Sequence, residues 1–149
     1  MLELNLPPFD IRIATRNGRP SVFDRLRKKY VALTPEEWVR QHFINFLITE
    51  KEYPEALIAN EIQVMLNGQQ KRSDSVIYNR KGEPLVIIEY KAPDVAITQK
   101  VFDQIARYNI VLRVRYLIVS NGITHYCCQV DYDKQTIEYL PDIPNYDNL

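Results

Sequence analysis

Apolar and polar residues change period several times along the chain, and each change marks an element. "FDIRIAT" (Phe9–Thr15) alternates at period two and runs into "RNGR", whose Asn-Gly pair tolerates the positive φ of a tight hairpin turn. Residues up to about 33 are therefore expected to form a β element, a hairpin or pair of strands. "LTPEEWVRQHFINFLITEK" then switches to a helical period from about Pro35 to Lys51. Thr34 is placed to cap it, Pro35 suits the first position and Glu37 completes a capping box, while Val39, Phe43, Phe46 and Leu47 make one apolar stripe. "ALIANEIQVML" and "KRSDSVIYN" read as strands, and "PLVIIEYKA" as a third whose unbroken apolar run indicates burial on both faces. "TQKVFDQIARYNIVL" has helical spacing at Val101, Ile105, Tyr108 and Leu112; "YLIVSNG" and "THYCCQVDY" give two more strands. "LPDIPNYDNL" reads as an acidic tail, poorly ordered at its end. The order helix, three strands, helix, two strands predicts an α/β (α+β) fold with a mixed sheet flanked by helices, behind an N-terminal β-hairpin.

A length of 149 residues, 46% of them hydrophobic, suits one compact domain, with the core at about 34–140 and the tail at about 141–149. No run approaches the roughly 18 to 20 apolar residues of a membrane span, and "MLELNLPPFD" lacks a signal peptide's basic start, so a cytoplasmic protein without membrane contact is expected. Cys127 and Cys128 are adjacent within an alternating segment and offer neither a disulfide framework nor a zinc spacing. Net charge is zero, which argues against an indiscriminate polyanion binder, but the charge is unevenly laid out. Arg12, Arg16, Arg19, Arg25, Arg27, Lys28 and Lys29 face only Asp10 and Asp24 between residues 10 and 30. That run is either a solvated basic face or a surface for phosphate.

Chemistry concentrates in "RSDSVIYNRKGEPLVIIEYKAP" (Arg72–Pro93). With "NRKGEP" as the turn, the hairpin centre falls between Lys81 and Gly82, and Asp74 and Glu89 are symmetric about it. Directly opposed residues share a face, and Lys91, two beyond Glu89, emerges there too. Two carboxylates this close repel, and the repulsion must be met by shared protonation, by a cation or by the lysine alone. A hard divalent ion with oxygen ligands fits, with the main-chain carbonyl of Tyr90 as a further donor. Such an ion polarises a phosphoryl oxygen and activates water, while the lysine steadies negative charge. The plainer alternative is a surface ion pair between Lys91 and one acid, the other being solvated.

Asp74, then Glu89-Tyr90-Lys91, on consecutive strands after a helix, resembles the PD-(D/E)xK nuclease core. Gln104 and Tyr108 on the next helix match the Q-x-x-x-Y motif of its RecB-like branch. Residues from about 10 to 142 more narrowly resemble the N-terminal nuclease domain of the type I restriction enzyme restriction subunit. This resemblance implies a metal-dependent DNA endonuclease using Mg²⁺, with Mn²⁺ able to substitute. Asp74, Glu89, Lys91, Gln104 and Tyr108 would be catalytic, and Asp74, Glu89, the Tyr90 carbonyl and Glu37 of the first helix would serve the metal, Glu37 directly or through water. Glu37 is explained equally by the capping box, and Gln104 and Tyr108 by surface and core. Lys71, Arg72 and Arg107 are the expected contacts to DNA. His42 and His125 have no Ser or Cys partner at a suggestive spacing and read as structural, as does Trp38. No G-x-x-x-x-G-K-[ST] loop is present, so an ATP-driven motor is not expected in this chain. Separate motor, specificity or methylation subunits, or further copies of the chain, are the partners implied beside DNA. A non-catalytic nucleic-acid-binding or regulatory module, and a junction or repair nuclease, are the other functions this fold would accommodate.

Overall fold

The computed structural model describes residues 3–66, 68–110 and 112–149, and the side chains of residues 66 and 108 lie outside the description. The expected hairpin is formed by β1 (Ile13–Arg16) and β2 (Arg19–Asp24). Asn17 and Gly18 both adopt positive φ, 52° and 73°, as a two-residue turn matching strand twist requires. A third strand, β3 (Lys29–Ala32), extends it into an antiparallel sheet of order β1-β2-β3. The basic run had hidden that strand. Asp24 makes the β2–β3 corner, its buried Oδ1 accepting from the backbone N–H groups of Leu26 and Arg27 while Asn60 and Arg27 donate to Oδ2.

Helix α1 (Pro35–Glu50) starts as the sequence requires: Thr34 Oγ1 accepts from Glu37 N at 3.1 Å and proline occupies the first turn. Six strands follow in the spatial order β4-β5-β6-β7-β8-β9, namely β4 (Ile58–Leu66), β5 (Gln69–Tyr78), β6 (Pro84–Tyr90), β7 (Tyr116–Ser120), β8 (His125–Asp131) and β9 (Thr136–Leu140). Among the described residues only β6 and β7 pair in parallel, and α2 (Gln99–Ile110) supplies the crossover that a parallel pair needs. The central strand β6 is buried on both faces. Val86 and Ile88 pack with Phe43, Leu47, Ile77, Ile118 and Cys127 on the α1 side, and Ile87 with Val76, Phe102, Leu117 and Cys128 on the α2 side. Each large aliphatic side chain so buried contributes about 1.5–3 kcal/mol.

Alternation breaks once in a way that positions the site. Ile58 packs on the α1 side, yet Ile62 and Val64 pack on the α2 side, although unbroken alternation would keep all three on one face. The reversal falls at Glu61, whose φ is 54°. Across the ladder the register steps from Asn60↔Ser75 to Ile62↔Ser73, leaving Glu61 and Asp74 opposite each other at the break.

Two expectations change at the C-terminal end. β9 adds an edge strand, missed because its alternation, Ile137 and Tyr139 between polar neighbours, runs over only five residues and is largely exposed. The segment expected to be a poorly ordered tail instead folds back: Ile143 and Tyr146 are buried, Tyr146 N donates to Lys51 O at 3.0 Å and its hydroxyl to Tyr78 O at 3.0 Å. No helix among the described residues is long and apolar enough to cross a membrane.

Candidate active site

The β5–β6 hairpin turns where its sequence directs. Asn79 Oδ1 accepts from the backbone N–H groups of Lys81 and Glu83, and Gly82 takes φ 81°. Ser75↔Ile88, Val76↔Ile87 and Ile77↔Val86 keep the register that sets Asp74 opposite Glu89; the one irregularity, at Ile77/Tyr78, lies at the far end. Asp74 Oδ2 accepts from Tyr90 N–H at 2.9 Å, which ties the acid to the next strand. Asp74, Glu89, Tyr90 and Lys91 open into one cleft of about 570 Å³, whose other walls include Glu37 and Arg40 of α1, Glu61, Arg72 and the β3 residues Val31 and Ala32.

Glu89 is compensated from below rather than by Lys91. Lys71 Nζ donates to Glu89 Oε1 at 2.7 Å and to Asn109 Oδ1 of α2 at 2.6 Å, with its own side chain only 5% exposed. Burial pushes the Glu89 carboxyl up, to about 7; the neighbouring Asp74 adds to the rise and Lys71 opposes it. Lys91 lines the cleft, and among the described residues its ammonium has no ion-pair partner. An ion pair between Lys91 and one of the acids is therefore not what the structure contains.

The remaining acids of the cleft are held by arginines. Glu37 Oε1 accepts from Arg27 Nη2 at 2.8 Å and Oε2 from Gln41 Nε2 at 3.0 Å, with Arg40 Nε 3.7 Å away. Glu61 accepts from Arg40 Nη2 at 2.7 Å and Arg72 Nε at 2.9 Å, which hold its carboxyl below the usual range despite burial. Arg40 is itself buried and lies 5.6 Å from the centre of the Tyr90 ring. Among the described residues no group of three or more His, Cys, Asp or Glu side chains is disposed to hold a metal. Asp74 and Glu89 alone are hard oxygen donors that fit a weakly held ion keeping most of its waters, and relief of their repulsion would favour it. Glu37 lines the same cleft with one protein donor already on each of its oxygens.

Several expected residues stand elsewhere. Lys71, anticipated as a DNA contact, is buried as the counter-ion of Glu89, because its strand enters on the α2 side below the break at Glu61. Gln104 and Arg107 are exposed on α2 and do not line the cleft. The helix is anchored to the site through Asn109, five residues beyond Gln104 and, at 3.6 residues per turn, well round the helix from it. The side chain of Tyr108 lies outside the described residues. Arg72 does reach the cleft wall, largely exposed. Lys71 and Asn109 were invisible as partners, being 38 positions apart in sequence. His42 is packed between Phe9 and Trp38 with Nδ1 on Trp38 O at 2.8 Å, and His125 shares a 2.7 Å hydrogen bond with Ser120, so both serve packing.

Residues 35–144 match the family described as type I restriction enzyme R protein N terminus (HSDR_N). Among solved structures the chain is similar to a fragment of an HsdR subunit of a type I restriction enzyme from Vibrio vulnificus YJ016. Identity is 20% and the TM-score 0.52, over 77% of this chain and 24% of that one, a likeness of fold. A DrdV–DNA complex gives 16% identity and a TM-score of 0.44 over 73% of this chain and 11% of that one. The chain thus spans about a quarter of the length of the HsdR chain it matches. No curated protein matches it. With the family match running from the start of α1 through β9 and beyond, the chain belongs to the family of type I restriction enzyme R protein N termini.

Proposed function

We propose that the chain is a metal-dependent DNA endonuclease domain of a type I restriction system, hydrolysing phosphodiester bonds with water. The observation that carries this reading is the division of labour between two lysines. Lys71 is the buried counter-ion of Glu89, and Lys91 lines the same cleft with no ion-pair partner among the described residues. A lysine serving only as a counter-ion would sit on an acid; Lys91 is instead placed for negative charge brought by a substrate.

When bound, Mg²⁺ or Mn²⁺ would supply positive charge to a phosphoryl oxygen and to the attacking water. The protein's own residues do the rest. Asp74, oriented by Tyr90 N–H, and Glu89, held through Lys71 and Asn109, present two oxygens towards the cleft. Lys91 stabilises the charge that grows on the phosphate as the water oxygen gives up a proton to solvent and bonds to phosphorus, the bond to the deoxyribose oxygen breaks and that oxygen takes up a proton from solvent. Motor, specificity or methylation functions would come from other subunits.

A second reading, a DNA-binding module without turnover, draws on the same acid set: Glu37 and Glu61 are tied to arginines, which leaves Asp74 and Glu89 as the cleft carboxylates without an arginine partner among the described residues. Supercoiled plasmid incubated with Mg²⁺ or Mn²⁺ separates the two. The nuclease reading expects cleavage by the wild type and its loss in both Glu89→Ala and Lys91→Ala. Manganese-induced thermal stabilisation should persist in Lys91→Ala and vanish in Glu89→Ala. Absence of metal-dependent cleavage in the wild type would leave the binding module.

A further inference from the structure

We infer that the outer face of the β1-β2-β3 sheet is a docking surface for the backbone of duplex DNA, leading into the cleft. The choice of DNA rests on the nuclease reading above. The sheet precedes residues 35–144 and so lies outside the span that matches the family.

Cross-strand register defines what this face carries. Val22 and Asp24 are fully buried, and by alternation Ser21 and Phe23 lie on the opposite face, where Ser21 is itself covered, 8% exposed, and Phe23 half-buried. Their partners place the residues in rows: Arg16 with Arg19; Ala14, Ser21 and Ala32; and Phe23 with Tyr30. Arg12 continues β1 beside Phe23, whose N–H donates to Arg12 O at 2.9 Å. Two aromatic rings packed edge to face at 5.3 Å thus support two guanidinium groups, Arg12 lying 4.8 Å from Phe23 and Arg16 4.8 Å from Tyr30. The middle row of small side chains lets Arg16 reach across to Tyr30.

These arginines are charged, exposed and free of competing acids. Among the described residues no carboxylate lies at ion-pair distance from Arg12, Arg16 or Arg19, whereas Arg25 and Arg27 of the same sheet are spent on Glu55 and on Asp24 and Glu37. Guanidinium groups resting on rings have already given up part of their rotamer freedom, which lowers the cost of fixing them on phosphate oxygens. The face is also continuous with the candidate active site, since Ala32 of its middle row lines the cleft that holds Asp74, Glu89 and Lys91. With no net charge on the chain as a whole, a duplex would be drawn to this face rather than to the surface at large.

Binding of a fluorescent 30-base-pair duplex, followed by anisotropy in EDTA across a series of KCl concentrations, tests the inference. The proteins are the wild type, the triple variant Arg12→Gln/Arg16→Gln/Arg19→Gln and the single Arg19→Glu, whose residue makes no ring contact among the described residues. Loss of three phosphate contacts should lower the slope of log affinity against log salt by about two to three units, and affinity by about 100-fold at 100 mM salt. Arg19→Glu should lose at least one unit of slope, and its thermal midpoint should be unchanged. Wild-type slope and affinity in both arginine variants, or a wild type without measurable duplex affinity at 50 mM salt, overturns the inference. Plasmid cleavage by the wild type tests the nuclease reading separately: a protein that binds through these arginines but never cuts leaves this surface standing and removes the catalytic assignment.

Discussion

Two pairs of carboxylates line one cleft and are compensated in opposite ways. Glu37 and Glu61 are enclosed by Arg27, Arg40 and Arg72, with Gln41 filling a further acceptor site. Asp74 and Glu89 share one buried lysine and one backbone N–H. The first pair has its charge met by fixed protein groups and works as architecture, joining α1 to β4 and to the N-terminal sheet. The second keeps unmet charge, and burial with mutual repulsion raises Glu89. Under-compensated acids in a polar cleft are where an external cation gains most, which is why chemistry is assigned to them and not to the more numerous arginine contacts.

The largest effect should come from breaking the first pair's support. Arg40→Ala strips a 5%-exposed guanidinium from Glu61 and Glu37, and should cost about 3 kcal/mol, a fall of about 10 °C in thermal midpoint. Next comes Lys71→Met. It leaves Glu89 beside Asp74 without its counter-ion, which at pH 8 costs about 2 kcal/mol through a carboxylate left unpaired or forced to take up a proton, and adding Glu89→Gln should recover most of the loss in a double-mutant cycle. A Lys71→Met protein as stable as Lys91→Met would erase the distinction between the two lysines.

A smaller effect, sharper in its sign, follows from Glu89 itself. Its folded-state value of about 7 stands above the 4.5 of an unperturbed side chain. Between those values the folded protein keeps a proton that the unfolded chain has released, so this group's contribution to stability is full below pH 4.5 and is lost as pH rises through about 7. Denaturation midpoints should therefore decline from pH 5 to pH 7.5 more steeply in the wild type than in Glu89→Gln; parallel curves would place the shifted group elsewhere. Smallest of all is the effect of Lys91→Met on stability, within about 0.5 kcal/mol, alongside a loss of most cleavage. Equal damage to folding and cleavage would mean that Lys91 is structural.

The hairpin geometry was legible because a turn cluster and two apolar runs determine register locally, and Asp74 faces Glu89 as symmetry about Lys81 and Gly82 requires. Helix α1 was legible from its cap and stripe. What could not be read depends on contacts distant in sequence. Lys71 at the start of a polar strand looked like a surface cation, and nothing near it announced Asn109. Glu61 carries no glycine to advertise its positive φ, so the reversal that turns β4 and β5 over was hidden. β9 escaped because its alternation is only two residues deep, Ile137 and Tyr139, and the last residues because Ile143 and Tyr146 are single anchors outside any periodic run.

Cys127 and Cys128 are neighbours in β8 that belong to different cores, one packed on the α1 side and the other on the α2 side. Burial pushes both thiols up, to about 12 and about 11, so at neutral pH almost no thiolate is available for alkylation while the fold is closed. The pair is thus a built-in opening gauge with one channel per layer. Under native conditions the rate at which each sulfur takes up a thiol reagent measures how often its own helix lifts from the sheet. Equal rates would say that the two layers part together, and unequal rates would name the one that leaves first.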